Sequence, residues 1–437
     1  MTTLTFPLSR IEGHARVEIE VRDGHVISTR FQAEELRGFN YLVRGVPAEQ
    51  IPVIVPRICG VCSTAHHVAS VKALENAYGI TPPPLARKIR SLLLLGQMLQ
   101  NQATSLFIFT MPDRLGVDSL FHVTEEEASK DTQFHIGRRA LQVRKLGTDL
   151  ITLAGGQFIH PIKAVVGGVS GGIEPEPAAN MRQRLQNYLP VACQLFDFYW
   201  EISLRMKERI GTWGDDAPAH YITSIGAECP EYDSNQIRVL APEGKCCETF
   251  SAHAFRDHLT FEETDYSFAG RTSYQGQVMR SNSLARANMT DRMGTPMADQ
   301  YLKQVFSTFG RPAHPILLFD LCRGVELVYC IERAIEMLAE PLNEGDKAIA
   351  YTPRDGEGYG LVEAPRGPLI HHYVIENGKI ASAEFVIPTV HNMLAIERAL
   401  RVAAERYITP DQVNLELEKA VGRVVRAFDP CIACATH

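Results

Sequence analysis

Arg57-Ile58-Cys59-Gly60-Val61-Cys62-Ser63-Thr64-Ala65-His66 and Asp429-Pro430-Cys431-Ile432-Ala433-Cys434-Ala435-Thr436-His437 are the two stretches on which the fold turns. Each holds a Cys-x-x-Cys pair, preceded by a charged residue (Arg57 or Asp429) and followed within one helical turn by a histidine (His66 or His437). The pairs stand at opposite ends of a 437-residue chain. Four thiolates suit a soft or borderline metal such as zinc, copper(I), nickel or iron, and sharing one site requires folding to bring the ends together. A zinc staple usually takes its two pairs from one small module, roughly 15–20 residues apart, whereas these span nearly the whole polypeptide. Two redox disulfides are the other plain reading, but neither pair sits in a thioredoxin-like βαβ pattern. A metal site is the better reading.

The chain is long enough for two or three average domains, yet length is only a soft guide. No Ser/Gly-rich or single-charge stretch divides it, so a single unit over residues 1–437 is expected. A net charge of −7 with interspersed signs offers no basic stripe for a phosphate backbone, which argues against a nucleic-acid partner. Met1-Thr2-Thr3-Leu4-Thr5-Phe6-Pro7 lacks the basic and apolar regions of an export signal, and the leucine run at 92–95 is too short to span a bilayer. Ten cysteines without a small disulfide scaffold suit the reducing cytoplasm. Outside the two pairs, Cys193, Cys229, Cys246, Cys247, Cys322 and Cys330 read as small buried apolar groups or incidental thiols.

Residues 15–32 alternate, with Val17, Ile19 and Val21 on one face, a turn at Asp23-Gly24, and a second strand through Phe31. A late hairpin runs from Tyr373 through Asn377-Gly378 to Phe385. Apolar segments at roughly 85–110, 188–210, 318–340, 393–407 and 411–427 have helical spacing, and Pro82-Pro83-Pro84 marks the start of the first. The expected fold is α+β and mainly helical, a bundle of long helices with small peripheral sheets. Cys59 and Cys62 fall before a helix continuing through His66 to Tyr78, and Cys431 and Cys434 just past a helix ending near Phe428. Both pairs thus lie at helix boundaries, with the metal site where N- and C-terminal segments join.

The two cysteine stretches resemble the nickel-binding motifs of the [NiFe]-hydrogenase large subunit. Arg10-Ile11-Glu12-Gly13-His14 is similar to that family's N-terminal motif, Gly155-Gly156 through His160-Pro161 to Gly167-Gly168 to its central one, and Glu363-Ala364-Pro365-Arg366-Gly367 to its active-site arginine loop. The likeness runs end to end and in order, and agrees with the bundle read from periodicity. It implies a nickel held by Cys59, Cys62, Cys431 and Cys434, with Cys62 and Cys434 shared with an iron that carries carbonyl and cyanide ligands. It implies that Cys431 takes the first proton from H2 and Glu12 takes it onward; an isolated Glu before Gly-His would otherwise be a solvated strand-end carboxylate. Arg366 and Asp429 would form an ion pair beside the metals, joined by Asp113 from its motif position, whereas Asp113 taken alone reads as an ordinary ion pair. His66 would hydrogen-bond a shared cysteine, Pro365 would contact the cofactor, and His437 would bind a structural magnesium or iron ion.

His160, between glycine pairs, reads as a packing or proton-network histidine because no strand and helix N-terminus flank it as in a phosphate loop. His67, His371 and His372 read as surface or satisfied core residues. Three positions depart from the family pattern. Asn101-Gln102-Ala103-Thr104-Ser105 stands where Ser-His-x-x-His is common, Asn40 replaces a glutamate that helps bind the structural cation, and Phe109 falls where a smaller residue lines the gas tunnel. Family precursors lose a C-terminal extension after nickel insertion, so a chain stopping at His437 is expected to be processed or made without one. No iron–sulfur ferredoxin spacing is present, so an iron–sulfur small subunit, with further electron-transfer subunits, is expected as partner. The main alternative is an H2 sensor with the same site that signals to a kinase. A quinone-site respiratory subunit would share the fold but lack the four cysteines.

Overall fold

The computed structural model describes residues 1–121, 132–408 and 415–437. The first hairpin pairs Ala15–Arg22 with His25–Ala33. Its turn residues Asp23 and Gly24 are both left-handed, at φ 52° and 75°, as a two-residue primed turn requires. Val17, Ile19 and Val21 point inward and are fully buried. A further strand, Thr2–Pro7, completes the sheet along Ala15–Arg22; only Leu4 and Phe6 mark its inner face, too short an alternation to stand out in the sequence. The late hairpin is also as expected, Gly367–Glu376 against Lys379–Val386 around Asn377-Gly378, and gains a third strand at Gly356–Ala364.

The predicted helices occur at Pro84–Ala103, Pro175–Arg205, Leu318–Met337, Pro388–Tyr407 and Leu415–Phe428. Residues 411–414 of the last expectation lie outside the described residues. The first helix widens into π-helical turns over Thr104–Thr110. The second starts well before residue 188, since Pro175 fits a first helical turn that does not need its missing N–H, and it carries Pro190 in its interior. Helices Thr132–Gly155 and Pro296–Phe309 were not evident from spacing, nor was the sheet ordered Met279–Arg280, His220–Thr223, Gln236–Leu240, Cys246–Ser251. One large apolar cluster runs from Leu4 to Ala435 and includes all four metal-type cysteines.

Three features place the site. Helix Ser63–Tyr78 lies directly against strand Gly356–Ala364: a Cβ at Gly360 would stand 1.9 Å from the carbonyl oxygen of Ala69, so only glycine permits the contact. The central Gly-rich segment is held to that helix by a buried ion pair, Arg90 donating to both Glu75 oxygens at 2.8 and 2.7 Å and to the Val165 and Gly168 carbonyls, while the Gly167 N–H donates to Glu75 at 2.8 Å. Finally, the chain leaves helix Leu415–Phe428 through Asp429 in a left-handed conformation, φ 51°, and runs beside the N-terminal motif. There Ile432 N–H donates to the Glu12 carbonyl at 3.1 Å and Arg37 N–H to the Thr436 carbonyl at 2.7 Å. A Cβ on Gly13, at φ 83°, would come within 2.8 Å of Ile432 Cβ; the approach of the two segments depends on its absence.

Candidate metal centre

The four cysteines converge. Their sulfurs all lie within 4.8 Å of one another and all four side chains are buried. Cys431 Sγ stands 2.8 Å from Cys434, 3.4 Å from Cys59 and 3.7 Å from Cys62. All ten cysteines are free thiols. Hydrogen bonds from Cys431 and then Cys434, with Arg366 beside it, hold the Cys62 thiol well below its ordinary range. Burial instead pushes Cys431 and Cys434 well above theirs. Four thiolates this close in a dry interior repel one another, so full ionisation needs a cation to offset the charge, which is how a metal shifts thiol acidity. The donor set therefore fits a thiophilic metal centre. Among the described residues it is the one group of three or more metal-type side chains whose ligand atoms converge.

Arg366 caps this cluster. Its Nη1 donates to Cys62 Sγ at 3.2 Å, its Nη2 to Asp429 Oδ1 at 3.0 Å, and its Nε to the Asp429 carbonyl. The second Asp429 oxygen accepts from Asn101 Nδ2 at 3.1 Å, so one of the departures from the family pattern supplies a neutral donor at the centre. Gln102 turns instead to Glu326 and Met98. The loop of Arg366 is fixed from below by fully buried Arg286, which donates to Glu363 Oε1 at 2.9 Å, to Glu326 Oε2 at 2.8 Å and to the Pro365 carbonyl at 2.9 Å. Ser281 Oγ donates to the Arg366 carbonyl at 2.6 Å.

On the other side, Glu12 forms an isolated parallel bridge with Cys431. Its Oε2 accepts from Cys431 Sγ at 3.1 Å and from the Ala433 N–H at 3.0 Å, while Thr389 Oγ1 accepts from the Cys431 N–H at 3.0 Å. His66 stands behind the cluster with Nε2 3.4 Å from Cys434 Sγ and Nδ1 2.9 Å from His371 Nε2. His371 Nδ1 lies 2.6 Å from the Tyr373 hydroxyl, which donates to Ser70 at 3.0 Å. Burial lowers His66 to about 4 and His371 well below its ordinary value, so both rings are neutral at pH 7.

One expected placement differs. Asp113 does not join Arg366 and Asp429: its carboxylate is taken by Arg10 at 2.5 Å and by Arg426 at 2.7 and 2.9 Å, so the ordinary ion pair is the better description. Pro365 offers its carbonyl to Arg286. His437 stands outside the converging ligand group; its Nδ1 lies 3.0 Å from the Cys434 carbonyl and its ring meets Phe385 edge-on. Asn40 Oδ1 is buried without a hydrogen-bond partner. Arg57 is exposed and donates to the Val53 carbonyl, away from the sulfurs. His160 sits beside the start of helix Ser63–Tyr78, its N–H 3.4 Å from Ser63 Oγ. Cys322 and Cys330 are buried, but Cys246 and Cys247 are exposed. His371 was missed, although its place two residues before Tyr373 on one strand face was a usable signal. Thr389 and Arg286 carried none, because their partners are remote in sequence, and Asn101 stood out only as part of a departure from the family pattern.

Four buried thiols brought together by two distant chain segments within a helix bundle make a candidate metal centre, and comparison with known proteins names the kind of protein that carries it. A family model described as nickel-dependent hydrogenase matches residues 37–137 and 230–437, and one described as HoxL-like matches residues 5–36. A subunit of the F420-non-reducing hydrogenase vhu of Methanococcus voltae is 31% identical over 408 residues, covering 91% of this chain and 97% of that protein. The beta subunit of the NAD-reducing hydrogenase HoxS of Cupriavidus necator is 29% identical, covering 99% and 93%. A solved NAD+-reducing [NiFe]-hydrogenase in the H2-reduced state superimposes with TM-score 0.92 at 27% identity over the whole of both chains. This chain belongs to the nickel-dependent hydrogenase family. It is a catalytic large subunit, an oxidoreductase acting on H2, and the sensor alternative gains no support from these relatives.

Arg366→Lys tests the cap. Lysine keeps the charge but cannot reach Cys62, the Asp429 side chain and the Asp429 carbonyl from one planar group. H2 oxidation with an artificial dye is expected to fall about 10²-fold or more, the size of effect seen when one preorganised electrostatic group is lost, with metal content retained. An unchanged rate would remove Arg366 from the reaction.

Proposed function

We propose that the chain splits H2 heterolytically, with the net reaction H2 ⇌ 2H⁺ + 2e⁻, at a nickel–iron centre that Cys59, Cys62, Cys431 and Cys434 would hold. The convergence of four buried sulfurs within 4.8 Å carries this reading. When bound, the centre, with carbonyl and cyanide on iron, supplies the Lewis acidity that makes H2 a usable acid and takes up its electrons. Cys431 Sγ is the first proton acceptor and Glu12 Oε2, 3.1 Å away, the second. Glu12 is half-buried and followed by exposed Gly13 and His14, which supports its reading as the group that passes the proton toward solvent. Arg366 and Asp429 set the charge over the cluster, Asn101 orients Asp429, and His66 steadies Cys434. A magnesium or iron ion at His437 is a further expectation, for which the orphaned Asn40 Oδ1 would be an oxygen donor within the same stretch of chain that bonds Thr436.

We further propose that the chain acts as one unit in the cytoplasm, and that its electrons leave to an iron–sulfur small subunit, then to onward carriers. Free thiols throughout suit a reducing compartment, and no helix among the described residues is long and apolar enough to cross a membrane. The face around Gly60 carries exposed Val53, while Ile159 and Ile162, each 51% exposed, flank His160 beside Ser63. Apolar groups there suit a large obligate interface beside the segment that carries the first cysteine pair. Metal analysis of the natively matured complex should give one nickel per large subunit, and infrared bands from diatomic ligands should report the iron beside it. Stoichiometric zinc without nickel would defeat the proposal.

A further inference from the structure

A second charged site lies away from the sulfurs. Between the N-terminal sheet and helix Leu415–Phe428 is a cavity of about 530 Å³, lined among others by Arg10, Asp113, Arg114, Trp213, Arg423 and Arg426. Most of these cations are satisfied. Arg10 and Arg426 share Asp113, and Arg114 bonds Asp320 at 2.9 Å. Arg423 is the exception. It is 9% exposed, and its guanidinium lies 4.1 Å over the Trp213 ring. Its Nε is buried with no hydrogen-bond partner, and no ion pair to it is found among the described residues. A second buried donor on the same wall, Arg114 Nη1, is likewise unpartnered.

Asp113 and Glu416 attract Arg423 only through space, so desolvation of its guanidinium is not repaid by hydrogen bonds or a direct ion pair. Burial accordingly lowers the affinity of Arg423 for its proton. Stacking on Trp213 compensates one face of the group, yet leaves the in-plane donors that normally grip two oxygens at once. The cavity is of the size that admits small metabolites. We propose that it is a binding site for a small oxyanion, carboxylate or phosphate, gripped by Arg423 over Trp213 and supplemented by Arg114. Nothing in this assignment depends on the metal centre, so the site can be occupied whether or not H2 is being turned over.

Equilibrium dialysis of the assembled, metal-loaded hydrogenase against labelled inorganic phosphate and, separately, labelled citrate tests this. Saturable binding of one probe per large subunit is expected, with phosphate alone, citrate alone or both identifying the source. Arg423→Gln should weaken it about 10-fold or more, the worth of one charge-assisted hydrogen-bonded pair, while Arg423→Lys should retain part of it and both should keep dye-linked H2 oxidation. Trp213→Leu, which removes the stacking surface but no charge, should also weaken binding and gives an independent reading if Arg423→Gln fails to assemble. No saturable binding of either probe, or binding untouched by the Arg423 and Trp213 changes, would overturn the assignment.

Discussion

Cys62→Ser and Cys434→Ser are each expected to yield a folded large subunit with no nickel–iron centre and no H2 activity above background. The hydroxyl has the shape of the thiol but does not ionise at neutral pH, and it is a poor partner for soft metals. Both side chains belong to the buried cluster, and each has one neighbour tuned to it: Arg366 donates to Cys62, and His66 faces Cys434. Replacing either sulfur therefore leaves the ligand set incomplete, while the serine hydroxyl can still serve as the hydrogen-bond partner of Arg366 or His66. Circular dichroism should remain that of the native protein, because the helices and sheets that frame the site are held by ion pairs such as Arg90–Glu75 that the substitution does not touch. Full metal content in either variant would show that the sulfur is not a ligand.

Glu12→Gln should keep the fold and the metals but abolish most net turnover, with a loss of about 10²–10⁴-fold, the usual contribution of a positioned acid–base group. Glutamine can still accept from the Ala433 N–H through its carbonyl oxygen, so the bridge between the N-terminal motif and Cys431 survives. What disappears is a carboxylate 3.1 Å from Cys431 Sγ that can hold and release a proton. Metal analysis and infrared spectra like those of the wild type, together with a collapsed dye-reduction rate, would isolate the proton-transfer role. A wild-type rate would return Glu12 to the status of a surface carboxylate that happens to pin Ala433.

Much of this was legible from spacing. The two hairpins announced themselves through alternation and the Asp23-Gly24 and Asn377-Gly378 turns, because period and turn chemistry are local properties. Five helices were visible for the same reason. The sheet built on His220–Thr223 escaped because its strands are short and one, Met279–Arg280, joins in parallel from far along the chain. At the site, the four cysteines, Glu12, Arg366 and Asp429 stood in recognisable motifs. Asn101 on Asp429 and Thr389 on Cys431 are single polar residues whose meaning is created only by folding, and Asp113 drew attention by motif position yet is claimed by the two arginines nearest to it in space.

The closing of the two cysteine pairs across 369 residues, from Cys62 to Cys431, also has a temporal side. At about 5–20 residues per second of synthesis, the first pair leaves the ribosome on the order of tens of seconds before the second exists. Throughout that interval Cys59 and Cys62 form half a chelate, open to solvent and to scavenging by any thiophilic ion. The strand contact between Glu12 and Cys431 therefore forms only once the second pair has been made, and assembly of the metal centre is ordered in time by the distance between its ligands.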